Sequence, residues 1–191
     1  MSTPTLWQIE MTPWYAMLFY WAISSLKVKQ ARIPERFSSR SKHLLFMIAA
    51  VVLMFTGRLR IGPLALRFVP ENLQILYASI FITCLGVALA IWARYILGQY
   101  WSARVEVKVD HQLIASGPYA YVRHPIYTGI LLAGIGTALY VGELRAILAI
   151  TLATVGFAIK AKQEESLMTS EFGNRYQEYR KATGFLIPRV Y

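Results

Sequence analysis

The chain has one cysteine, three histidines and ten acidic residues in 191 positions. A single thiol, Cys84, excludes an intrachain disulfide and a thiolate metal cluster. His43, His111 and His124 are scattered without metal-ligand spacing, so no metal site is expected. No glycine-rich phosphate loop follows a strand, and no serine or cysteine nucleophile motif occurs, which disfavours hydrolysis by a triad or a metal. Gly134 and Gly136 lie within an apolar run and read as packing residues. The acidic amino-terminal stretch, with no small-residue cleavage pattern after it, does not read as a cleavable signal, so the first apolar segment is expected to stay attached. Charge is also scarce: 16% of residues are charged against 56% hydrophobic, wrong for a soluble globule.

What the chain has instead is long apolar runs. About 20 apolar helical residues cross the roughly 30 Å hydrocarbon core of a bilayer. Leu73 to Gly98 carries one charge, Arg94; Ile126 to Gly142 carries none; Leu144 to Ile159 carries only Arg145 at its start. Trp7 to Leu26 is interrupted by Glu10 and Pro13, so its helix is expected to begin at Pro13, a residue suited to a first turn. Leu44 to Gly57 spans only about 21 Å as helix and needs Lys42 and Arg58 to reach outward. The expectation is an all-α integral membrane protein of about five transmembrane helices, with a carboxyl-terminal helical hairpin and a cytoplasmic cofactor pocket. It forms one membrane domain over 1–191, with two spans in 7–72 and a catalytic half in 73–191.

The last two spans are separated by Gly142 and Glu143 alone, which demands a tight hairpin. Gly129, Ala133 and Thr137 recur every fourth residue and give a small-residue stripe for close backbone approach. With the amino terminus outside, segments 27–43, 99–125 and 160–191 lie inside and hold six, three and six Lys plus Arg; the outer segments hold four. That bias sets the orientation. It also accounts for the net charge of +10 as membrane-flanking charge that attracts anionic lipid, so no nucleic-acid partner is expected.

Polar residues crowd into 98–127 and 160–191, which this topology brings to one face. "VEVKV" at 105–109 alternates and reads as a short extended piece. Gly117 and Pro118 make a turn, Pro125 holds His124 toward extended geometry, and Pro125 itself opens the next helix. Arg123 and His124 thus stand at a helix amino terminus, a seat for a carboxylate or phosphate. The alternative is that Arg123 snorkels to lipid while Tyr119, Tyr121 and Tyr127 form an interfacial belt. In the second segment Lys160 with Glu164, and Ala161 with Glu165, share faces of a helix running out of the membrane, or form a merely solvated face.

Two blocks carry a resemblance: Leu113, Gly117, Tyr119, Arg123, His124, Pro125, Tyr127 and Gly129, then Glu164, Glu165, Phe172, Gly173, Tyr176, Tyr179 and Pro188. In these the chain resembles the isoprenylcysteine carboxyl methyltransferase family, membrane enzymes that use S-adenosylmethionine; the likeness covers the carboxyl-terminal half. It implies cofactor contacts at His111, Gln112, Leu113, Ile114, Tyr119, His124, Pro125, Ile126, Tyr127 and Glu164. A family arginine that faces the methyl acceptor falls on Lys160, a point charge in place of a planar fork. The implied reaction is methyl transfer to a lipophilic or lipidated acceptor, a prenylated cysteine-type carboxylate above all. Lys160 or Arg123 would meet the acceptor head, and Glu165 would stand in for Glu164 or act as a base. Phospholipid N-methyltransferase, NADPH-dependent sterol-type reductase and a non-catalytic membrane scaffold are the competing readings.

Overall fold

The computed structural model describes residues 3–33, 37–57, 61–102, 104–108, 110 and 112–189. Six helices occur among them: α1 Thr3–Ser25, α2 Phe37–Phe55, α3 Leu73–Leu97, α4 Pro125–Val141, α5 Leu144–Phe172 and α6 Asn174–Ala182. Two short strands, β1 Ala31–Ile33 and β2 Val107–Lys108, pair antiparallel; β2 covers two residues of the extended piece expected at 105–109, whose Val109 lies outside the described residues. α3 together with its following turn to Tyr100, and α5, are long and apolar enough to cross a membrane; 43–55 and α4 are shorter apolar helices.

The helices begin and end where local chemistry dictates. Asn72 caps α3, its side chain accepting from the Gln74 N–H at 2.7 Å, which satisfies an amide that has no partner inside the helix. Pro125 is the first residue of α4. Gly142 ends that helix in the left-handed conformation, at φ 66°, where a side chain is disfavoured. Its neighbour Glu143 leads directly into α5, so the hairpin expected from Gly142 and Glu143 forms.

One boundary differs from expectation. α1 does not start at Pro13 but runs from Thr3 with Pro13 inside it. Glu10, read as an interruption, is fully buried. Its Oε1 accepts from the Thr83 hydroxyl at 2.7 Å and the Thr137 hydroxyl at 2.8 Å. The carboxyl group is tolerated because α3 and α4 supply donors for it, a relation across more than seventy residues that a local reading does not contain.

α3 and α4 pack most closely. The stripe Gly129, Ala133 and Thr137 meets Gly86, Ala90 and Thr83: a Cβ added at Gly86 would lie 2.2 Å from the Ala133 nitrogen, and one at Gly129 2.6 Å from the Ala90 nitrogen. α2 packs on α5, with Gly156 against Met47 and Phe46. At one end of the bundle Arg94 of α3 donates to the Ser24 carbonyl at 2.9 Å and the Gly98 carbonyl at 2.8 Å, its guanidinium 4.4 Å from the Trp101 ring centroid. That tie holds the end of α1 beside the segment that walls the site.

Candidate active site

The cavity lies where α1, α3 and α5 end and α4 begins. Its volume is about 360 Å³, within the range of small-molecule pockets. One wall comes from the 112–119 segment, with Gln112, Leu113, Ile114 and Tyr119; a second comes from the start of α4, with Arg123, His124, Ile126 and Tyr127; Lys160 and Glu164 of α5 close a third. Segments 98–127 and 160–191 therefore converge.

His124 organises the charge. Its Nδ1 lies 3.5 Å from Glu164 Oε2 and its Nε2 3.4 Å from Glu165 Oε1. Burial alone would lower the imidazole pKa, but hydrogen bonds and charge from both carboxylates raise it above 6.5. The ring stacks on Tyr127, with centroids 5.5 Å apart and planes 4° apart, and meets Phe185 edge-on. The Tyr127 hydroxyl donates to Glu164 Oε1 at 2.6 Å, and Lys160 Nζ stands 3.8 Å from the same oxygen. Burial would raise the Glu164 pKa, yet His124, Lys160 and Tyr127 together hold it below the usual carboxylate value. The result is an ionised carboxylate beside an imidazole whose charged form its neighbours favour and the Lys160 side chain, with the partial positive charge of the α4 amino terminus adjacent.

Two expected site residues, Glu165 and Pro125, do not line the cavity. Glu165 points away from the cavity, its side chain 9% exposed, because adjacent residues on a helix diverge by about 100°; Glu164 faces the cavity and Glu165 faces the carboxyl-terminal segment. There Glu165 pairs with Arg123 Nε at 2.5 Å and Arg180 Nε at 3.4 Å. Burial raises the Glu165 pKa, but His124 and Arg123 overcome it and bring it down to about 2. Arg123 lines the cavity, yet its Nη1 also donates to the Thr183 carbonyl at 2.5 Å, so it clamps the carboxyl-terminal segment. Pro125 is buried at the first position of α4 and does not line the cavity. His111 lies outside the described residues.

Several wall residues were not singled out from sequence. Leu167 and Met168 continue the α5 face that begins at Lys160 and Glu164, a helical spacing that makes them findable. Tyr176 and Tyr179, which the resemblance includes without giving them a place in the site, come from α6; the Tyr179 hydroxyl donates to the Tyr119 carbonyl at 2.7 Å. Trp21 comes from the end of α1 and stands edge-on to Trp101, 6.4 Å between centroids. Nothing local in the sequence connects Trp21 with residues eighty positions on. Glu106 also lines the cavity. Among the described residues no group of three or more His, Cys, Asp or Glu could hold a metal ion.

Residues 78–170 match the isoprenylcysteine carboxyl methyltransferase family, the stretch that holds α4, most of α3 and the cavity residues of α5. A protein-S-isoprenylcysteine O-methyltransferase of Schizosaccharomyces pombe is 36% identical over 110 residues, covering 56% of this chain and 47% of that protein. One of Tribolium castaneum is 38% identical over 86 residues, covering 44% of this chain and 31% of that protein. The chain thus spans less than half the length of these relatives. An uncharacterized protein of Haemophilus influenzae is 27% identical over 162 residues, with 82% of this chain and 91% of that protein covered.

Proposed function

We propose that this chain, whose residues 78–170 belong to the isoprenylcysteine carboxyl methyltransferase family, is a membrane methyltransferase. It takes its methyl group from S-adenosylmethionine and gives it to a lipophilic acceptor, in the first place the carboxylate of a prenylated cysteine. The observation that carries this reading is the convergence of His124, Tyr127, Lys160 and Glu164 on one cavity with an apolar wall beside them.

The donor set fits the cofactor. Leu113, Ile114 and Tyr119 form an apolar wall for adenine. His124, whose charged form its two carboxylates favour, and the start of α4 suit the carboxylate of an amino acid. Glu164, an ionised carboxylate beside His124 and Tyr127, suits its ammonium group. When bound, S-adenosylmethionine supplies a methyl group on a sulfonium, which an ionised carboxylate accepts at neutral pH with no general base.

The work left to the protein is orientation and exclusion of water. Lys160, its side chain 12% exposed and its ammonium 5.5 Å from the Tyr127 ring centroid, supplies positive charge for the acceptor head. Trp21, Leu97, Ile130 and Phe157 give the cavity an apolar flank that suits a hydrocarbon chain arriving from the bilayer. Arg123 and Glu165 act from behind, fixing His124 and the carboxyl-terminal segment. The cavity faces the cytoplasm, in keeping with fifteen of the twenty Lys and Arg in segments 27–43, 99–125 and 160–191.

The competing readings fit the cavity less well. An amine acceptor needs a base, and Glu165, the residue offered for that part, is turned away and committed to Arg123. NADPH brings an extra phosphate, for which segment 98–125 offers three Lys and Arg. The deciding measurement is thermal stability of the detergent-purified protein with S-adenosylmethionine, S-adenosylhomocysteine and NADPH separately. The adenosyl ligands raise the midpoint by mass action and NADPH does not; the opposite pattern, or no shift at all, overturns the proposal.

A further inference from the structure

A second cavity, of about 700 Å³, opens at the end of the bundle away from His124, between the start of α1, the end of α2, the start of α3 and the α4–α5 hairpin. Much of its wall is apolar and aromatic. Trp7 and Tyr140, with ring centroids 5.4 Å apart, stand beside Met54, Phe55 and Leu76. Four charged side chains, Arg67, Glu71, Glu143 and Arg145, also line it, and methyl transfer at the other end of the bundle uses none of them.

Both arginines are fixed by the backbone, and each keeps one nitrogen unused. Arg145 Nε donates to Glu143 Oε2 at 2.7 Å, and its Nη1 to the carbonyls of Leu53, Met54 and Thr56, where α2 ends. The side chain is only 8% exposed. Its Nη2 nonetheless has no hydrogen-bond partner among the described residues and is not sealed from solvent. Arg67 Nε donates to the Val69 carbonyl at 3.1 Å, and its Nη1 to the Val141 carbonyl at 3.3 Å and Glu71 Oε1 at 3.1 Å; its Nη2 likewise has no partner among the described residues. A guanidinium already oriented by its neighbours, with N–H groups to spare, is preorganised for a phosphate oxygen.

The two carboxylates differ in access. Glu143 is buried and engaged by Arg145, whereas Glu71 stands on the rim, 73% exposed, where it can take a cation. Phosphate against the arginines, ammonium at the rim and hydrocarbon along the apolar wall is the layout of a phospholipid with a primary-amine head. A quaternary amine has no N–H to give a carboxylate, and a soluble phosphate ester makes no use of the apolar wall. Trp7 and Tyr140 belong to the residue types that gather at headgroup depth.

We propose that this cavity binds the headgroup of a phosphatidylethanolamine-type lipid, its phosphate on Nη2 of Arg67 and Arg145 and its ammonium on Glu71. The lipid would join the start of α3 to the α4–α5 hairpin. The test is native mass spectrometry of the full chain in detergent, titrated with dioleoyl phosphatidylethanolamine, phosphatidylcholine or phosphatidylglycerol, and with glycerophosphoethanolamine as competitor. Wild-type protein binds the ethanolamine lipid about threefold more tightly than the other two, the scale of one exposed ion pair. Glu71→Gln, a change on the rim that removes no packing, abolishes that preference. Glycerophosphoethanolamine competes weakly, since it lacks the hydrocarbon.

Equal binding of the three lipids by wild-type protein overturns the proposal and needs no variant. A preference that survives Glu71→Gln overturns it too, by placing the amine elsewhere. Competition by glycerophosphoethanolamine as strong as the lipid's own binding overturns the assignment to a lipid and leaves a soluble phosphate ester as the ligand.

Discussion

His124 lies between two carboxylates that do different work. Glu164 ties it to the cavity, while Glu165 ties it to Arg123, Arg180 and through them to the carboxyl-terminal segment. The pH dependence of stability follows from these contacts. The Glu165 pKa falls from 4.5 to about 2 on folding, so its contribution is complete above 4.5 and is lost as pH falls through about 2. The His124 pKa is raised from 6.5, so its contribution is complete below 6.5 and is lost as pH rises through the raised value. Denaturation midpoints across this range therefore fall off on both sides. Glu165→Gln flattens the acid limb and, by leaving the buried Arg123 without a counter-charge, costs about 3 kcal/mol near neutrality. An unchanged acid limb in that variant refutes the assignment.

At the scale of elements, the α3–α4 contact sets where the cavity's second wall stands. Four-residue spacing made the stripe Gly129, Ala133 and Thr137 legible in the sequence, but its partner was not, because Gly86 and Ala90 are small residues among many in α3. The same limit explains α1. Pro13 and Glu10 look like a break when only their neighbours are considered, and become helix interior once Thr83 and Thr137 are in place. The start of α4 at Pro125 and the hairpin at Gly142 and Glu143 were legible, since proline at a first turn and glycine at a helix end act locally. Because a Cβ at Gly86 would meet backbone atoms at 2.2 and 2.6 Å, Gly86→Ala must push α4 off α3. It costs about 1–3 kcal/mol, the range for overpacking, and lowers the proposed methyl transfer by moving His124 and Tyr127. Gly57→Ala, where nothing stands within 4 Å, leaves both unchanged. Chemical denaturation and turnover of the two variants side by side make the comparison; equal behaviour rules out the role given to this contact.

Across the whole molecule, α1 to α5 run in alternating directions, so that Trp21, Leu97, Ile126 and Lys160 gather at one end while Trp7, Met54, Leu73, Val141 and Arg145 gather at the other. Alternation is what five successive passes through a bilayer require, and it turns two distant polar segments into one site. The segments were legible because polar residues in so apolar a chain have few places to go. Trp21 and Glu106 were not, since a cavity wall is a property of the assembled bundle. The basic residues make the orientation testable. In a Cys84→Ser background, a cysteine placed at Lys181, which is exposed beyond α5, is labelled by an impermeant maleimide only after the membrane is opened. One placed at Ile61, exposed at the far end between α2 and α3, is labelled in intact cells. The reverse pattern would put the cavity on the outer face, where a cytoplasmic cofactor could not reach it, and would exclude methyl transfer from S-adenosylmethionine by this protein in cells. Labelling of both positions from outside would instead break the alternation on which the five-pass reading depends.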